Sequence, residues 1–377
     1  MKKGSAGFTR RAFMGAAAGF TAAGIVGKAA SAGDGSSAAR TPEAASASAG
    51  ETASGAPAGP KVVCVHSADV FKGTQLDPQA VSGMLDAGVR GFSGRPPQDF
   101  WKSLFASDDV VGIKLNCISR TVRPNKPLID AVIEGLKSAG VKENNVIVWD
   151  RFEDQLERRA RLKINRGTEG VRIYGTERSG DASSGYDDKV FYETDKDTPD
   201  YRGSTGTKSL VTKIITTACT KIINMPVLKD HNQAGVSGCL KNLAFGAVNN
   251  TARFHKAPMY CSPAIADILL IPSIRQKTVL HILDALRVCY NGGPDAPNPA
   301  YVTNYSTLYM ATDPVACDTV ALEVVQKMRA DAGLGDLFQT SGHPVHVAEA
   351  AAKGLGLGNR GRIDLLTREF RAGAGAD

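Results

Sequence analysis

The sequence predicts an α/β protein with mostly parallel sheets and helices on both faces. Short apolar runs alternate with helical patterns along most of the chain. A strand–helix–strand order occurs between residues 110 and 150, and such a unit implies parallel strands joined by a right-handed crossover. Alternation of this kind favours a doubly wound sheet.

The elements follow one another in a regular order. The first strand is predicted at 62–65, and Asp77-Pro78 then supplies an N-cap and a first-turn proline for a helix through about Ala87. The polar stretch 176–207 predicts a long surface excursion or a small hairpin. The other predicted elements are strands at 110–115, 146–149, 221–226, 278–283 and 308–312, and helices at 128–139, 262–270, 314–328 and 344–352.

Polar residues that directly follow predicted strands are the first candidates for a site. In open parallel sheets, ligands bind beyond the carboxyl ends of the strands. The rule selects His66, Asn116, Asp150, Asn224, Asp284 and Asp313. Asp313-Pro314 also has the form of a helix N-cap followed by a first-turn proline, which is the interpretation we favour. Asp318 would then fall one turn inside that helix, where it needs a partner or solvent.

The N-terminus predicts export by the twin-arginine (Tat) route. A basic start and Arg10-Arg11 precede a mildly apolar run over 15–26, and Ala30-Ser31-Ala32 forms a small-x-small cleavage site. That run of 12 residues is too short to span a bilayer, which needs about 20. We expect a Tat signal peptide over 1–32, contact with the Tat translocon during export, a periplasmic location and no stable membrane anchor after cleavage.

Composition divides the rest of the chain into a tether and a domain. Residues 33–60 are almost entirely Ala, Ser, Gly, Pro and Thr, which predicts a disordered tether. Residues 61–377 are predicted to form a single α/β domain. The net charge is +7, and five of these charges lie in the acid-free segment 1–32, which leaves +2. So small an excess argues against a nucleic-acid partner.

The cysteines indicate buried thiols. The chain has seven, and no two are spaced Cys-x-x-Cys. Ferredoxin-type clusters and zinc ribbons normally contain such pairs, so neither is encoded locally. Several cysteines lie within apolar runs, where a buried and unreactive thiol is expected.

The most unusual stretch is the signature segment, residues 224–250. It contains three glycines within residues 235–246 and many polar side chains: Lys229, Asp230, His231, Asn232, Ser237, Cys239, Lys241 and Asn242. We interpret it as a loop-like run in which Gly238 to Lys241 place a lysine beside backbone amide donors, an arrangement suited to an anion. The alternative is a polar surface loop that caps a helix.

The signature segment resembles the family known as domain of unknown function 362. The family pattern is Asn-x-Pro-x-x-Lys-x-His, followed by Gly-x-Thr-Gly-x-x-Lys-Asn. The matching residues are Asn224, Pro226, Lys229, His231, Gly235, Gly238, Lys241 and Asn242, with Ser237 where threonine is usual. Similar stretches occur at 111–116, Asp284, 292–294 and 313–318, so that the resemblance spans roughly 61 to 356.

The resemblance implies more about fold than about reaction. Many relatives carry a ferredoxin-like module, and this chain departs from that pattern because it lacks the cysteine repeats. The family is also distantly similar to the lactate-racemase fold, whose members use a lysine-attached nickel-pincer nucleotide and histidines for hydride transfer. That similarity implies two lobes with a cleft, here over 61–175 and 208–377.

These observations lead to a set of site residues. The predicted catalytic residues are Lys229, His231, Lys241 and His255. The predicted cofactor-binding residues are Asn116, Asn224, Gly235, Ser237, Gly238 and Asn242. His255 follows the signature segment among basic neighbours, which suits a neutral base or ligand, although a surface histidine fits equally well.

Neither a cofactor nor a metal ligand is assigned. His343 and His346 could share a metal on one helical face, but Pro344 between them favours the first turn of a helix.

Two functions fit the sequence. The first is a periplasmic, cofactor- or metal-dependent enzyme, redox or isomerase-like, that acts on a small anionic substrate or with a bound cofactor. The Tat signal favours it, because proteins loaded with cofactor in the cytoplasm need a route for folded chains. The alternative is a non-catalytic periplasmic binding or accessory protein for a cofactor or a partner enzyme, which the tether favours.

Overall fold

A computed structural model describes residues 59–178, 184–194, 206–255, 259–340 and 344–373. The strands are β1 Lys61–His66, β2 Phe71–Lys72, β3 Gln75–Leu76, β4 Val111–Lys114, β5 Val146–Phe152, β6 Arg172–Glu177, β7 Tyr186–Glu193, β8 Lys208–Thr212, β9 Lys221–Asn224, β10 Val227–His231, β11 Gly235–Ser237, β12 Thr278–Cys289, β13 Val302–Ala311 and β14 Asp364–Glu369. The helices are α1 Pro78–Ser93, α2 Pro97–Leu104, α3 Lys126–Ser138, α4 Glu153–Arg158, α5 Cys239–Ala247, α6 Ala264–Leu269, α7 Pro272–Arg275, α8 Pro314–Asp331, α9 Leu337–Thr340 and α10 Val345–Ala352.

One large, mostly parallel sheet organises these elements. Its strand order is β14-β1-β13-β12-β9-β4-β5-β6, and β10 continues along β12 with β11 paired beside it. The run β12-β9-β4-β5-β6 is parallel throughout. β13 is antiparallel to both of its neighbours, β1 and β12. The carboxyl ends of β1, β12, β9, β4 and β5 therefore lie at the same edge.

Helices cover both faces of this sheet, as predicted. One face packs against α1, α2 and α3 around fully buried side chains such as Met84, Trp101 and Ile113. The other face packs against α5, α6 and α8 around Leu240 and Ile265. Strands buried on both faces become nearly continuous apolar runs, which is why they could be recognised in the sequence.

The helix starts follow the predicted capping chemistry. The Asp77 carboxylate accepts a hydrogen bond from the backbone N–H of Gln79 at 3.0 Å, and α1 begins at Pro78. Asp313 accepts from the N–H groups of Val315 and Ala316, so that its role as an N-cap is confirmed. The parallel pairing of β4 and β5 around α3 confirms the predicted strand–helix–strand unit.

Three features of the fold differ from the sequence-based expectation. The signature segment is not a loop, because it forms β10, β11 and α5. Asp313 lies at the opposite edge of the sheet, because β13 runs antiparallel. β14 was missed although it pairs with the whole of β1, since its polar residues show no strand-like alternation.

The polar stretch 176–207 is partly described. β7 within it pairs with β8 as an antiparallel hairpin, which agrees with the expected excursion. β4 and β9, which come from the two ranges 61–175 and 208–377, pair directly. No helix among the residues that the structure describes is long and apolar enough to cross a membrane. Residues 1–58, which contain the predicted signal peptide and most of the predicted tether, lie outside the described residues.

Candidate functional site

A cavity of about 340 Å³ lies beyond the carboxyl ends of β4 and β5, within the size range of small-molecule sites. Among the described residues, its charged lining consists of four cations, Lys114, Arg151, Lys229 and Lys241, and one carboxylate, Asp150. The remaining lining residues are Asn116, Ile118, Phe152, Gln155, His231, Asn232, Gln233, Ser237, Asn242, Phe245, Gly246, Thr251, His255 and Pro294. The edge of the sheet that the topological rule selected therefore carries a cavity with an excess of positive charge.

The three polar residues of β10 alternate between its two faces, because side chains along a strand alternate with a period of two residues. Lys229 and His231 share a face and line the cavity. Asp230 lies on the other face, where its carboxylate accepts hydrogen bonds from the N–H groups of Gly292 (3.0 Å) and Gly293 (2.8 Å). Burial raises the pKa of Asp230. Asp230 thus fixes the loop that brings Pro294 to the cavity wall.

α5 brings Lys241 and Asn242 to the cavity on its first turn. The side chain that caps this turn is Asp318 of α8, whose carboxylate accepts from the N–H groups of Cys239 (2.6 Å) and Leu240 (2.9 Å). The expectation that these amides would bind an anionic ligand is therefore wrong, because a protein carboxylate occupies them. Gly238 is required for that contact, since a Cβ there would lie 2.2 Å from Asp318 Oδ1.

Lys114 and Asp150 form a buried ion pair at the base of the cavity. Lys114 Nζ lies 2.6 Å from Asp150 Oδ1 and donates to Asn242 Oδ1 at 3.2 Å. Asp150 Oδ2 accepts from the N–H of Cys117 at 2.7 Å. The positive charge of Lys114 is therefore compensated within the protein.

A chain of amides links Lys229 to the layer behind the cavity. Lys229 Nζ donates to Asn116 Oδ1 at 2.6 Å, and Asn116 Nδ2 donates to Asn242 Oδ1 at 3.1 Å. Asn242 Nδ2 in turn donates to Asn224 Oδ1 at 2.7 Å, and Asn224 Nδ2 contacts His281 Nδ1 at 3.0 Å. Each amide is oriented by the next one, so the position of the Lys229 amine is fixed.

Lys229 and Lys241, which form no ion pair with a described residue, both have lowered pKa values. Lys229 is completely buried, and burial together with the nearby charge of Lys241 lowers its pKa to about 8. Burial also lowers the pKa of Lys241. Lys241 Nζ lies 4.7 Å from the centre of the Phe245 ring. Within the described residues it has neither a hydrogen-bond acceptor nor an acidic partner.

The two cavity histidines are held in opposite tautomers. His231 Nδ1 accepts from the N–H groups of Gln233 and Ala234, both at 3.1 Å, so its proton resides on Nε2. Burial and the charge of Lys241 keep the pKa of His231 well below its usual range. His255 Nδ1 faces the carbonyl oxygen of Thr251 at 3.0 Å and must donate to it, which makes Nε2 the basic nitrogen. The ring centres lie 5.6 Å apart.

Arg151 belongs to a second buried ion pair in the cavity wall. Its Nε lies 2.7 Å from Glu177 Oε1, and its Nη1 donates to Thr251 Oγ1 at 3.0 Å. Tyr186 also donates to Glu177. The Arg151 charge is thus balanced, and the guanidinium positions Thr251, whose carbonyl orients His255.

The structure brings together seven of the ten predicted site residues. They are Asn116, Lys229, His231, Ser237, Lys241, Asn242 and His255. Asn224 lies behind Asn242. Gly235, with a φ of 72°, is the first residue of β11 and pairs with His231 of β10, and Gly238 accommodates Asp318. These three residues do not line the cavity.

Other candidates from the sequence lie elsewhere. His66 contacts Thr307 Oγ1 at 3.2 Å at the end of β1, and two strands, β13 and β12, separate β1 from β9. Asp284 is fully buried and accepts from the Asn125 side chain at 2.8 Å. His346 is buried near the start of α10, and neither ring nitrogen has a hydrogen-bond partner among the described residues; His343 lies outside them.

Several lining residues were not included in the predicted set. Lys114 and Asp150 lie at or next to the ends of predicted strands. That position could have been used to predict them as site residues. Arg151 and Thr251 form a hydrogen bond although they are 100 residues apart in the sequence. No local sequence pattern predicts such a contact.

The residues present do not fit an iron–sulfur cluster. Six of the seven cysteines are buried, Cys64 is half-buried, and all are free thiols. In the part of the chain that the structure describes, no group of three or more His, Cys, Asp or Glu side chains could hold a metal ion.

Fold and site together define an α/β protein with a cation-rich cavity at the carboxyl edge of a mostly parallel sheet. The chain belongs to the family described as domain of unknown function (DUF362), whose family model matches residues 111–323, more than half of the chain. The matched range contains every described residue that lines the cavity.

The similarity to solved structures is distant. A crystal structure of a Thermotoga maritima protein, a structural genomics target, is 11% identical with a TM-score of 0.39. The match covers 70% of this chain and 61% of that one, so the chain spans about three fifths of its length. No curated protein matches the sequence. The likeness to the lactate-racemase fold stays a prediction.

Proposed function

We propose that this protein is an enzyme that binds a small anionic substrate in the cavity and catalyses an isomerase-like proton transfer. The observation that carries the proposal is the pair of cavity histidines in opposite tautomers. His231 presents an N–H donor, and His255 presents a basic nitrogen. A donor and a base that face one cavity are the two groups that acid–base catalysis requires.

The charge of the cavity supports an anionic substrate. Two of its four cations are balanced by Asp150 and Glu177. Lys229 and Lys241 have no acidic partner among the described residues. Burying an unpaired ammonium group is costly, and a bound carboxylate or phosphate would offset that cost. We therefore expect anions to stabilise the folded protein.

Thermal denaturation with a panel of small carboxylates and phosphate tests the binding step. We expect a ligand-dependent increase in Tm that Lys241→Met removes. Lys327→Met is the matched control, because Lys327 is exposed and pairs with Asp331 on the surface of α8. An increase that survives Lys241→Met would contradict the assignment of the anion to this cavity.

Hydrogen exchange from the substrate tests the catalytic step. Proton NMR in D₂O would follow the exchange of carbon-bound hydrogen in 2-hydroxy, 2-amino and 2-oxo carboxylates. His255→Gln is expected to abolish this exchange and to retain the anion-dependent increase in Tm. Binding without exchange or turnover for every ligand that stabilises the wild type would instead favour the non-catalytic binding protein.

We further propose that the enzyme acts in the periplasm after Tat export. The support is the sequence around Arg10-Arg11 and the small residues that end at Ala32. Cell fractionation should find the wild type in the periplasm and the double variant Arg10→Lys, Arg11→Lys in the cytoplasm. An unchanged distribution would refute the proposed route.

A further inference from the structure

The two unpaired lysines in the cavity differ in their surroundings. Lys229 is completely buried in the wall, and its amine is held by the side chain of Asn116 at 2.6 Å. Lys241 lies against the Phe245 ring, and no described residue accepts a hydrogen bond from it. The Asn116 amide therefore fixes the position of the Lys229 amine at the cavity wall, and the Lys241 amine has no hydrogen-bond acceptor among the described residues.

A single carboxylate would neutralise one of these lysines and leave the other without a counterion. The nearby charge of Lys241 and complete burial both disfavour the ammonium form of Lys229, whose pKa falls to about 8. A lysine that is desolvated and placed beside another cation is a typical imine-forming nucleophile. The ammonium form of Lys229 is thus destabilised, so a larger fraction of Lys229 than of an ordinary lysine is a neutral amine that can react with a carbonyl group.

The geometry points to a 2-oxo acid as the substrate class: we propose that Lys241 binds its carboxylate and that Lys229 captures its carbonyl carbon as an imine. This inference rests on the proposed function, because it assigns a substrate class to the same cavity. A 2-oxo acid carries the carboxylate and the carbonyl on adjacent carbons, and both lysines line one cavity of about 340 Å³.

The reaction needs no oxidant or reductant. The lone pair of Lys229 Nζ forms a bond to the carbonyl carbon, the C=O π electrons move to oxygen, and a proton passes from nitrogen to oxygen to give a carbinolamine. The carbinolamine loses its hydroxyl group and the remaining amine proton as water to form C=N. The Nε2–H of His231 can donate to the departing oxygen, and Nε2 of His255 can accept a proton.

The imine gives the proposed base, His255, a defined role. Uptake of one proton from solvent by the imine nitrogen gives an iminium, which acidifies the hydrogens on the neighbouring carbon, so His255 can remove one of them and return it. This is the proton exchange that the proposed function requires, now with a stated electron acceptor. The opposite tautomers of His231 and His255 provide one proton donor and one acceptor for these steps.

Reductive trapping tests the inference on the mature, folded protein. Wild-type protein is incubated with pyruvate and sodium cyanoborohydride, and its intact mass is measured, followed by peptide mapping. We expect one reduced pyruvate adduct per chain, located on Lys229. Propanoate, which has the carboxylate but lacks the carbonyl, should raise Tm and give no adduct.

Two matched variants separate charge from nucleophilicity. Lys229→Arg keeps a positive charge that cannot be deprotonated, and it should lose the adduct but retain the propanoate-dependent increase in Tm. Lys126→Arg, at an exposed lysine on α3, should behave as the wild type. Because the adduct is also mapped in the wild-type protein, the test does not depend on how well Lys229→Arg folds.

Four outcomes would overturn the inference. An adduct on Lys241 or on surface lysines would contradict the role of Lys229. Stabilisation by propanoate without any trapped adduct would refute the imine and leave the anion-binding cavity intact. A stronger increase in Tm with phosphate than with pyruvate, again without an adduct, would show that both lysines stay charged and bind a dianion. If no anion stabilises the protein, the proposed function fails as well.

Discussion

Replacing Gly238 with alanine tests how the start of α5 is built. A Cβ at this position would lie 2.2 Å from Asp318 Oδ1, which is well inside van der Waals contact. Asp318 is completely buried, and its two carboxylate oxygens accept from the N–H groups of Cys239 and Leu240. The carboxylate therefore cannot move aside without losing both hydrogen bonds.

The size of the effect follows from those two hydrogen bonds. A hydrogen bond to a charged group contributes about 1.5–3 kcal/mol, so losing both would cost roughly 3–6 kcal/mol. Burial raises the pKa of Asp318 to about 7, so the carboxyl is partly protonated at neutral pH. We therefore expect the lower end of this range, about 3 kcal/mol off the free energy of unfolding.

A double-mutant cycle measured by denaturant unfolding checks the reasoning. The four proteins are the wild type, Gly238→Ala, Asp318→Ala and the double variant, followed by circular dichroism. If the clash with Asp318 causes the loss, Gly238→Ala should be nearly neutral once Asp318 is alanine, with a coupling energy of about 2 kcal/mol or more. An equal loss in both backgrounds would refute the proposed contact and point to the backbone instead.

Three further predictions concern other buried groups. Lys229 has a pKa of about 8 in the folded protein against 10.5 for an ordinary lysine, so the folded state releases its proton first and the contribution of Lys229 to stability rises with pH in this window. This contribution should be up to about 1.4 kcal/mol per pH unit. Burial raises the pKa of cysteines such as Cys117 and Cys239, which lowers stability with rising pH in both proteins, so urea unfolding at pH 8 and 9.5 should show the Lys229 contribution as the difference between the wild type and Lys229→Met. Gly135→Ala should destabilise α3 by about 1–3 kcal/mol although alanine favours helices, because its Cβ would meet the Trp101 ring at 2.3 Å; a gain in Tm would contradict this packing. His346→Phe should raise Tm, because both ring nitrogens are buried without partners among the described residues; a fall in Tm would show that the imidazole stabilises the fold.

Much of the fold could be predicted because local chemistry determines it. The strands β4, β5 and β9 are apolar on both faces, and the Asp77-Pro78 and Asp313-Pro314 pairs mark the helix starts. The direction of β13 could not be predicted, because antiparallel pairing depends on contacts between distant residues. The strand-end rule therefore failed at Asp313, and it held at Asn116 and Asp150.

The density of polar residues in the signature segment located the site in the sequence. It did not predict the secondary structure of that segment. Lys241 and Asn242 are buried in α5, so the helix lacks the usual division into an apolar and a polar face, and it resembled a loop. The partners that set the charge balance are remote in sequence. Asp150 pairs with Lys114 across 36 residues, and Glu177 pairs with Arg151 across 26.

The pairing of β9 and β10 with the long strand β12 explains why the residue spacing within the signature segment matters. β9 and β10 pair with the same strand one after the other, with Asn224 opposite His281 and Lys229 opposite Cys289. Losing one residue after Pro226 would turn Lys229 and His231 away and place Asp230 in front of the cavity. The spacing between these residues therefore determines which side chains of β10 face the cavity. A deletion of one residue would reverse the sign of the charge that β10 presents to a ligand.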